Sequence, residues 1–441
     1  MTLLIVLLSI ALLVLLISWG KVHAFLAFLV VSIIAGLLLG IPLNDITKSV
    51  YKGIGDTLGS LVIIIVLGAM LGKLVAESGA AQRIASVMMN AFGTKYIQWA
   101  LMLTGFIIGI PLFYNVGFVL IIPMIFSIIY KYKLPAMYIA LPMLAPMSVA
   151  HGYLPPHPSP AALVELFHAD MGLTLLYGIV VAIPVMIVAG PLFSKTVKNI
   201  VSTPLEGLAT PSINDDQLPG TTNSFLTALL PVILLMVTTL MVYALPHNAS
   251  VNSFLPIVTF FGEAGIVMLL AVGVATFTLG INLGRSMKSI MGIYAEAGKD
   301  VAMVLLIIAG AGVLKQVLVD SGVSNDIAQA LKGLKIHPLV LGWLIAAFIR
   351  VCLGSATVAG LTTAGIILPM MAESNVDPNL MVLSIGAGSL MFSHVNDAGF
   401  WLFKEYFNLS IKDTIRSWSL METIVAIMGL VVVLLLDLVI K

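Results

Sequence analysis

Two imidazoles and a hydroxyl sit among four prolines in the run His151-Gly152-Tyr153-Leu154-Pro155-Pro156-His157-Pro158-Ser159-Pro160. Proline removes a helical N–H and restricts the residue before it, so this run cannot be a continuous helix. Ser393-His394-Val395-Asn396-Asp397-Ala398-Gly399-Phe400 places an imidazole, an amide and a carboxylate between apolar runs. Gly354-Ser355-Ala356-Thr357-Val358-Ala359-Gly360-Leu361-Thr362-Thr363-Ala364-Gly365 offers four hydroxyls, Ser355, Thr357, Thr362 and Thr363. Gly109-Ile110-Pro111-Leu112-Phe113-Tyr114-Asn115-Val116-Gly117 presents Tyr114 and Asn115 behind a helix-breaking Pro111. Together they supply hydroxyls, amides and imidazoles, plus helix ends whose free N–H groups and positive dipoles suit an anion. Each run also has a plainer reading. These are a loop with surface His, an N-capping Asp397, small-residue helix packing, and a proline kink with a capping Asn.

The elements that hold these runs are set by composition. Of 441 residues, 60% are hydrophobic and 9% charged. A soluble domain averages about 25% charged. A soluble enzyme, a nucleic-acid binder and a disordered chain are thereby excluded. The 21 basic and 20 acidic residues imply no polyionic partner, and one cysteine, Cys352, excludes a cysteine-based metal site. Runs long enough to span a bilayer lie near 3–19, 24–41, 57–76, 173–192, 225–245, 262–284, 300–319 and 418–437. Residues 2–17 lack a basic flank and a cleavage pattern, so they read as the first span rather than a removable leader. Four further apolar stretches, near 97–130, 136–165, 338–371 and 380–405, are interrupted by the polar runs above. Residues 194–224 are polar and proline-bearing, which makes them a cytoplasmic linker between membrane halves 1–193 and 225–441.

The halves resemble one another. Displaced by 243 positions, 61–85 lies over 304–328 with seven of 25 positions identical, and His151 faces His394 while Asp170 faces Asp413. The basic loop Tyr130-Lys131-Tyr132-Lys133 is cytoplasmic by the positive-inside rule, whereas its counterpart Glu373-Ser374-Asn375-Val376-Asp377 is acidic. This predicts an all-α polytopic membrane protein of two inverted repeats. Each has a re-entrant hairpin and a broken transmembrane helix. Lys48, Lys52, Lys332 and Lys335 run against that orientation, and whether 97–130 and 338–371 re-enter or span stays open. Irregular backbone at membrane depth is tolerated only when protein or water covers it, and two paired breaks mark a transporter with a midplane site. Lys73 and Lys315 read as snorkelling side chains. Arg350 is either a carboxylate partner or an anchor at the hairpin end.

With these runs in view, the sequence resembles the gluconate permease (GntP) family of proton symporters. The resemblance is carried by HGYLPPHPSP, by Ala169-Asp170-Met171-Gly172-x-Thr174-Leu175-x-Tyr177-Gly178, by Pro111-Leu-Phe-Tyr-Asn-Val-Gly-Phe and by Ser393-His-Val-Asn-Asp-Ala-Gly-Phe-Trp. It covers nearly the whole chain. It implies proton-driven uptake of a sugar acid such as gluconate across a bacterial inner membrane, and the dimeric ion-transporter architecture with no bound cofactor or metal. The site residues it suggests are Tyr114, Asn115, His151, Ser159, Ser355, Thr357, Thr362, Thr363, His394 and Asn396 for substrate. For the proton they are Asp397 first, then His151 and His394. No arginine clamp is evident, so helix ends or His are expected to hold the carboxylate. The alternative is a sodium-coupled carrier of a small organic anion or amino acid, such as D-serine or a dicarboxylate. An intramembrane enzyme lacks any HExxH or GxSxG motif to support it. A channel fits paired breaks less well than a carrier.

Overall fold

The computed structural model describes residues 2–112, 114, 117, 118, 121, 122, 125, 126, 128, 129, 133–202, 217–244, 254–323, 336–371, 374–394 and 397–440. Among these every regular element is helical. In chain order they are α1 (Thr2–Ser18), α2 (Ala24–Leu38), α3 (Leu43–Glu77), α4 (Ala80–Phe92), α5 (Ile97–Gly109), α6 (Ala136–Tyr153), α7 (Pro158–Phe167) and α8 (Met171–Thr196). The second half holds α9 (Thr221–Ala244), α10 (Leu255–Gly262), α11 (Ala264–Leu283), α12 (Met287–Asp320), α13 (Pro338–Leu353), α14 (Ala356–Met371), α15 (Pro378–Gly388), α16 (Ala398–Tyr406) and α17 (Ile411–Ile440). Each of the eight predicted spans falls on one helix. The apolar windows understate two of them. Helices α3 and α12 continue through charged turns such as Asp45–Lys52 and Lys288–Asp300, reaching about 50 Å at 1.5 Å per residue. Helix α3 bends by 44° between Gly59 and Leu61.

All four predicted breaks exist, each with a local cause. Helix α6 tolerates Pro142 and Pro146 but stops where Leu154 turns extended ahead of Pro155, and α7 restarts at Pro158 behind the N-cap residue His157. The α13–α14 hairpin turns at Gly354, whose φ of 74° favours glycine, and Ser355 Oγ accepts from Val358 N at 3.3 Å to start α14. Helix α15 ends at Gly388, and α16 begins behind Asp397. Helix α5 ends at Gly109, before Pro111. Asn115 and Asn396 lie outside the described residues.

The 243-residue offset recurs in the elements. Displaced by it, α3 falls on 286–320 against α12, α5 falls inside α13, and α8 falls inside α17. The breaks match less closely. The gap after α6 maps onto 397–400, whereas α15 stops about two turns earlier, because no proline fixes the position there. The polar stretch is also shorter than its composition suggests, since α8 runs on to Thr196 and α9 starts at Thr221.

The halves interlock rather than merely abut. Helix α3 packs along α12, α6 against α15, and α7 against both α14 and α15. Gly53 and Gly312 let the long helices touch backbone to backbone. A Cβ on Gly53 would stand 2.6 Å from Gly312 O, and one on Gly312 would stand 2.5 Å from Gly53 O. Buried polar bonds stitch the same interface. Tyr153 Oη donates to Val425 O at 2.5 Å and Thr174 Oγ1 to Asn379 Oδ1 at 2.7 Å, while Trp343 Nε1 donates to Ala426 O at 2.9 Å within the second half. Each such bond is worth about 0.6–2 kcal/mol inside a membrane protein. Asp170 caps α8 through Leu173 N, while at the equivalent Asp413 the cap is Ser410.

Candidate functional site

The broken elements converge on a cavity of about 470 Å³ lined by residues of both halves. The first half contributes Lys73 from α3, Tyr114, Ser148 and His151 from α6, and Pro158 at the start of α7. The second contributes Asp300 from α12, Arg350 and the turn Gly354–Thr357, Asp397 and Gly399 at the start of α16, and Trp418 and Glu422 from α17. Three helix N-termini, those of α7, α14 and α16, therefore sit at its wall. The positive end of α14 favours an anion there, whereas α7 opens on Pro158 and Pro160, which have no N–H, and α16 is already capped by the Asp397 carboxylate.

The charges are arranged in order. Arg350 is 4% exposed, and its Nη2 donates to Asp397 Oδ2 at 2.5 Å. Asp397 also accepts from Ser393 Oγ and from Gly399 N, so it is at once an N-cap and a counter-ion. Behind it, Trp418 Nε1 donates to Ser393 Oγ at 2.8 Å, and Ser419 Oγ donates to Ser393 O. A π-turn over Ile415–Ser419 rotates Trp418 and Glu422 into this position. Among the described residues, Arg350 Nε and Nη1 have no hydrogen-bond partner, nor do Tyr114 Oη, His151 Nδ1 and Glu422 Oε2. Buried polar groups are normally paired, so five unpaired atoms around one cavity describe a surface that a polar ligand completes.

The predicted residues divide between cavity and packing. Tyr114, His151, Ser355, Thr357 and Asp397 line the cavity. Tyr114 and His151 pack with ring centroids 5.5 Å apart and planes tilted by 42°. Ser159, Thr362 and Thr363 are buried in the α7–α14 contact instead. Thr363 Oγ1 returns to Ala359 O at 2.7 Å, and Ser159 Oγ lies 3.3 Å from where a Cβ on Gly360 would be. His394 is held outside the cavity wall by Val351 O at 2.9 Å. His157 binds Gly109 O at 2.8 Å and so ties the break after α5 to the break after α6.

No arginine was expected on the cavity wall, and the structure places Arg350 there. Arg350 ends α13 one turn before Gly354, and the hairpin turn folds it inward toward the cavity. Ser148 and Glu422 were missed as well. Ser148 Oγ donates to Glu422 Oε1 at 2.5 Å between α6 and α17. Lys73 does not simply snorkel. Its Nζ bonds Asp300 Oδ2 at 2.8 Å across α3 and α12, at the open end of the cavity. The missed signals were an ionisable residue inside an apolar span and a lysine within a span of helix.

Comparison with known proteins agrees with this architecture. The model of the GntP family permeases matches residues 1–439. The chain is 47% identical over 441 residues to the high-affinity gluconate transporter of Escherichia coli (strain K12), covering all of both chains. It is 44% identical to the Gnt-II system L-idonate transporter of the same organism, covering 99% of each. It is also 44% identical to the gluconate permease of Bacillus subtilis (strain 168), covering all of both. Among solved structures, the YdaH transporter of Alcanivorax borkumensis has a TM-score of 0.68 at 15% identity, covering 93% of this chain and 96% of the other. MtrF of Neisseria gonorrhoeae has a TM-score of 0.67 at 14% identity, covering 94% of each. At such identities these two support the fold alone. With helices that cross the membrane repeatedly and a family match over nearly its whole length, the chain is a multi-pass membrane protein that belongs to the GntP permease family.

Proposed function

We propose that this permease imports gluconate or a closely related sugar acid with protons, by alternating access, across a bacterial inner membrane. The observation that carries the reading is the cavity chemistry. A buried arginine with two unpaired nitrogens and the N-terminus of α14 suit one carboxylate. Tyr114, Ser148, His151, Ser355 and Thr357 suit a chain of hydroxyls, each of which donates and accepts. The relatives named for gluconate and L-idonate support the same class. The reading includes two inverted repeats, supported by the 243-residue offset, and pairing into a homodimer, supported by the family resemblance.

Labelled gluconate should accumulate in proteoliposomes under an imposed inward proton gradient without sodium, and a protonophore should collapse the accumulation. Rescue by sodium alone would move the reading to a sodium-coupled carrier. Competition by idonate and fructuronate would rank substrates.

Asp397→Asn is expected to abolish proton-driven accumulation, because it removes the counter-ion of Arg350 and two further hydrogen bonds; undiminished accumulation by this variant overturns a role for Asp397. Lys73→Gln should weaken capture of the anion about three- to tenfold and flatten its dependence on ionic strength, since a charge at a cavity mouth mainly steers encounter. Initial uptake rates at two salt concentrations check it.

A further inference from the structure

We propose that Glu422 is the group that carries the coupled proton. This rests on the proton-symport reading above and concerns which side chain performs it. Glu422 is 2% exposed, lies in the apolar helix α17 and lines the cavity. One oxygen, Oε1, accepts from Ser148 Oγ, and the other, Oε2, has no partner. A buried carboxylate oxygen without a donor is costly when ionised, whereas a proton on Oε2 turns it into a donor toward the cavity. Asp397 differs, because Arg350, Ser393 and Gly399 already donate to it. His151 keeps Nδ1 unpaired but has no charged partner within bonding distance among the described residues.

The charge balance makes the proton and the anion bind together. Arg350 and Asp397 cancel inside the cavity, as do Lys73 and Asp300 on its wall, with the more exposed Glu296 also within 3.5 Å of Lys73 Nζ. An ionised Glu422 leaves the cavity with one net negative charge, and an arriving carboxylate makes it two. A proton taken up from the same aqueous side onto Oε2 offsets the substrate's charge, so the loaded cavity carries what the empty one did. Release on the other side returns the proton and the anion together. Each ligand then tightens the other by the same factor, as linkage requires. The charged and titratable groups facing Glu422 are Tyr114 and Tyr153 from the first half, and Arg350 and Asp397 from the second. Helix α15, also packed on α17, carries no ionisable side chain, α13 adds only Cys352, α6 adds Tyr138 and His151, and α8 carries Tyr177 and Lys195.

The test is calorimetric titration of gluconate into the purified full chain, in two buffers of different ionisation enthalpy. The wild type is expected to take up close to one proton per gluconate. Glu422→Gln is expected to bind gluconate with no buffer dependence. Proton uptake persisting in Glu422→Gln overturns the assignment. Loss of gluconate binding also overturns it where Glu422→Asp binds normally, because the carboxylate is then a substrate ligand. Where Glu422→Gln is unstable, Ser148→Ala decides. It is expected to move the pH midpoint of binding by about one unit, the worth of a hydrogen bond to a charged group, and an unmoved midpoint overturns the proposal. A wild type that binds no gluconate counts against the substrate reading instead.

Discussion

Arg350→Lys is expected to weaken gluconate binding roughly thirty- to a hundredfold, and Arg350→Ala more. The guanidinium spends Nη2 on Asp397 and turns Nε and Nη1, both unpaired, toward the cavity. A planar fork can meet one carboxylate with one face and another with the other. A lysine ammonium cannot hold two carboxylates in fixed directions. Losing a charge-assisted bidentate contact is worth about 2–3 kcal/mol, hence the factor. Arg350→Ala has a second consequence, because it strands Asp397 in the interior, and a buried carboxylate that loses its partner costs about 3–5 kcal/mol. Thermal unfolding should therefore fall sharply for Arg350→Ala and largely recover in the double variant Arg350→Ala/Asp397→Ala, while binding stays lost in both. Titration of gluconate and a melting curve on the same samples check this; unaltered binding by Arg350→Lys would show that the carboxylate is held elsewhere.

Gly386→Ala is expected to destabilise the protein by about 3 kcal/mol and to cut transport at least tenfold. The added Cβ would stand 2.2 Å from the carbonyl oxygen of Gly152, beside His151 and two residues before the break after α6. The obstacle is backbone in a well-packed helix crossing, so no flexible side chain can yield, which places the cost at the upper end for overpacking. Glycine at position 365 meets nothing within 4 Å, so Gly365→Ala is the control, with little effect. Expression level, melting temperature and uptake of the two variants side by side settle the comparison.

Much of the fold was legible because the bilayer demands apolar runs and leaves few ways to interrupt them. Proline at position 155 and glycine at 354 announced where helices stop. The site was legible only in part. Ser355 and Thr357 could not be told from Thr362 and Thr363 by composition, since all four sit in one hydroxyl-rich run. The turn at Gly354 decides which pair meets the cavity and which packs against α7. Arg350 stayed open between carboxylate partner and anchor, because a sequence does not show that a hairpin folds its end inward, and the structure pairs it with Asp397. Glu422 stands close to the start of an apolar run, where an acid reads as interfacial. Only the π-turn before it and Ser148 from the other half reveal that it is deep inside. Long-range pairings of this kind leave no local trace.

The crossing of α3 and α12 at Gly53 and Gly312 fixes the separation of the two longest helices by main-chain contact, with only the short Thr57 side chain beside it. Such a joint cannot open, but it can pivot. The cavity-lining residues Ala69, Gly72 and Lys73 lie sixteen to twenty residues along α3 from it, about 24–30 Å at helical rise. A scissoring of ten degrees at the crossing would therefore carry the Lys73 end through about 4 Å relative to Asp300, roughly the width of a carboxylate. A rotation about this glycine crossing would thus be enlarged toward Lys73 and Asp300, with the 44° bend of α3 lying between the crossing and the cavity.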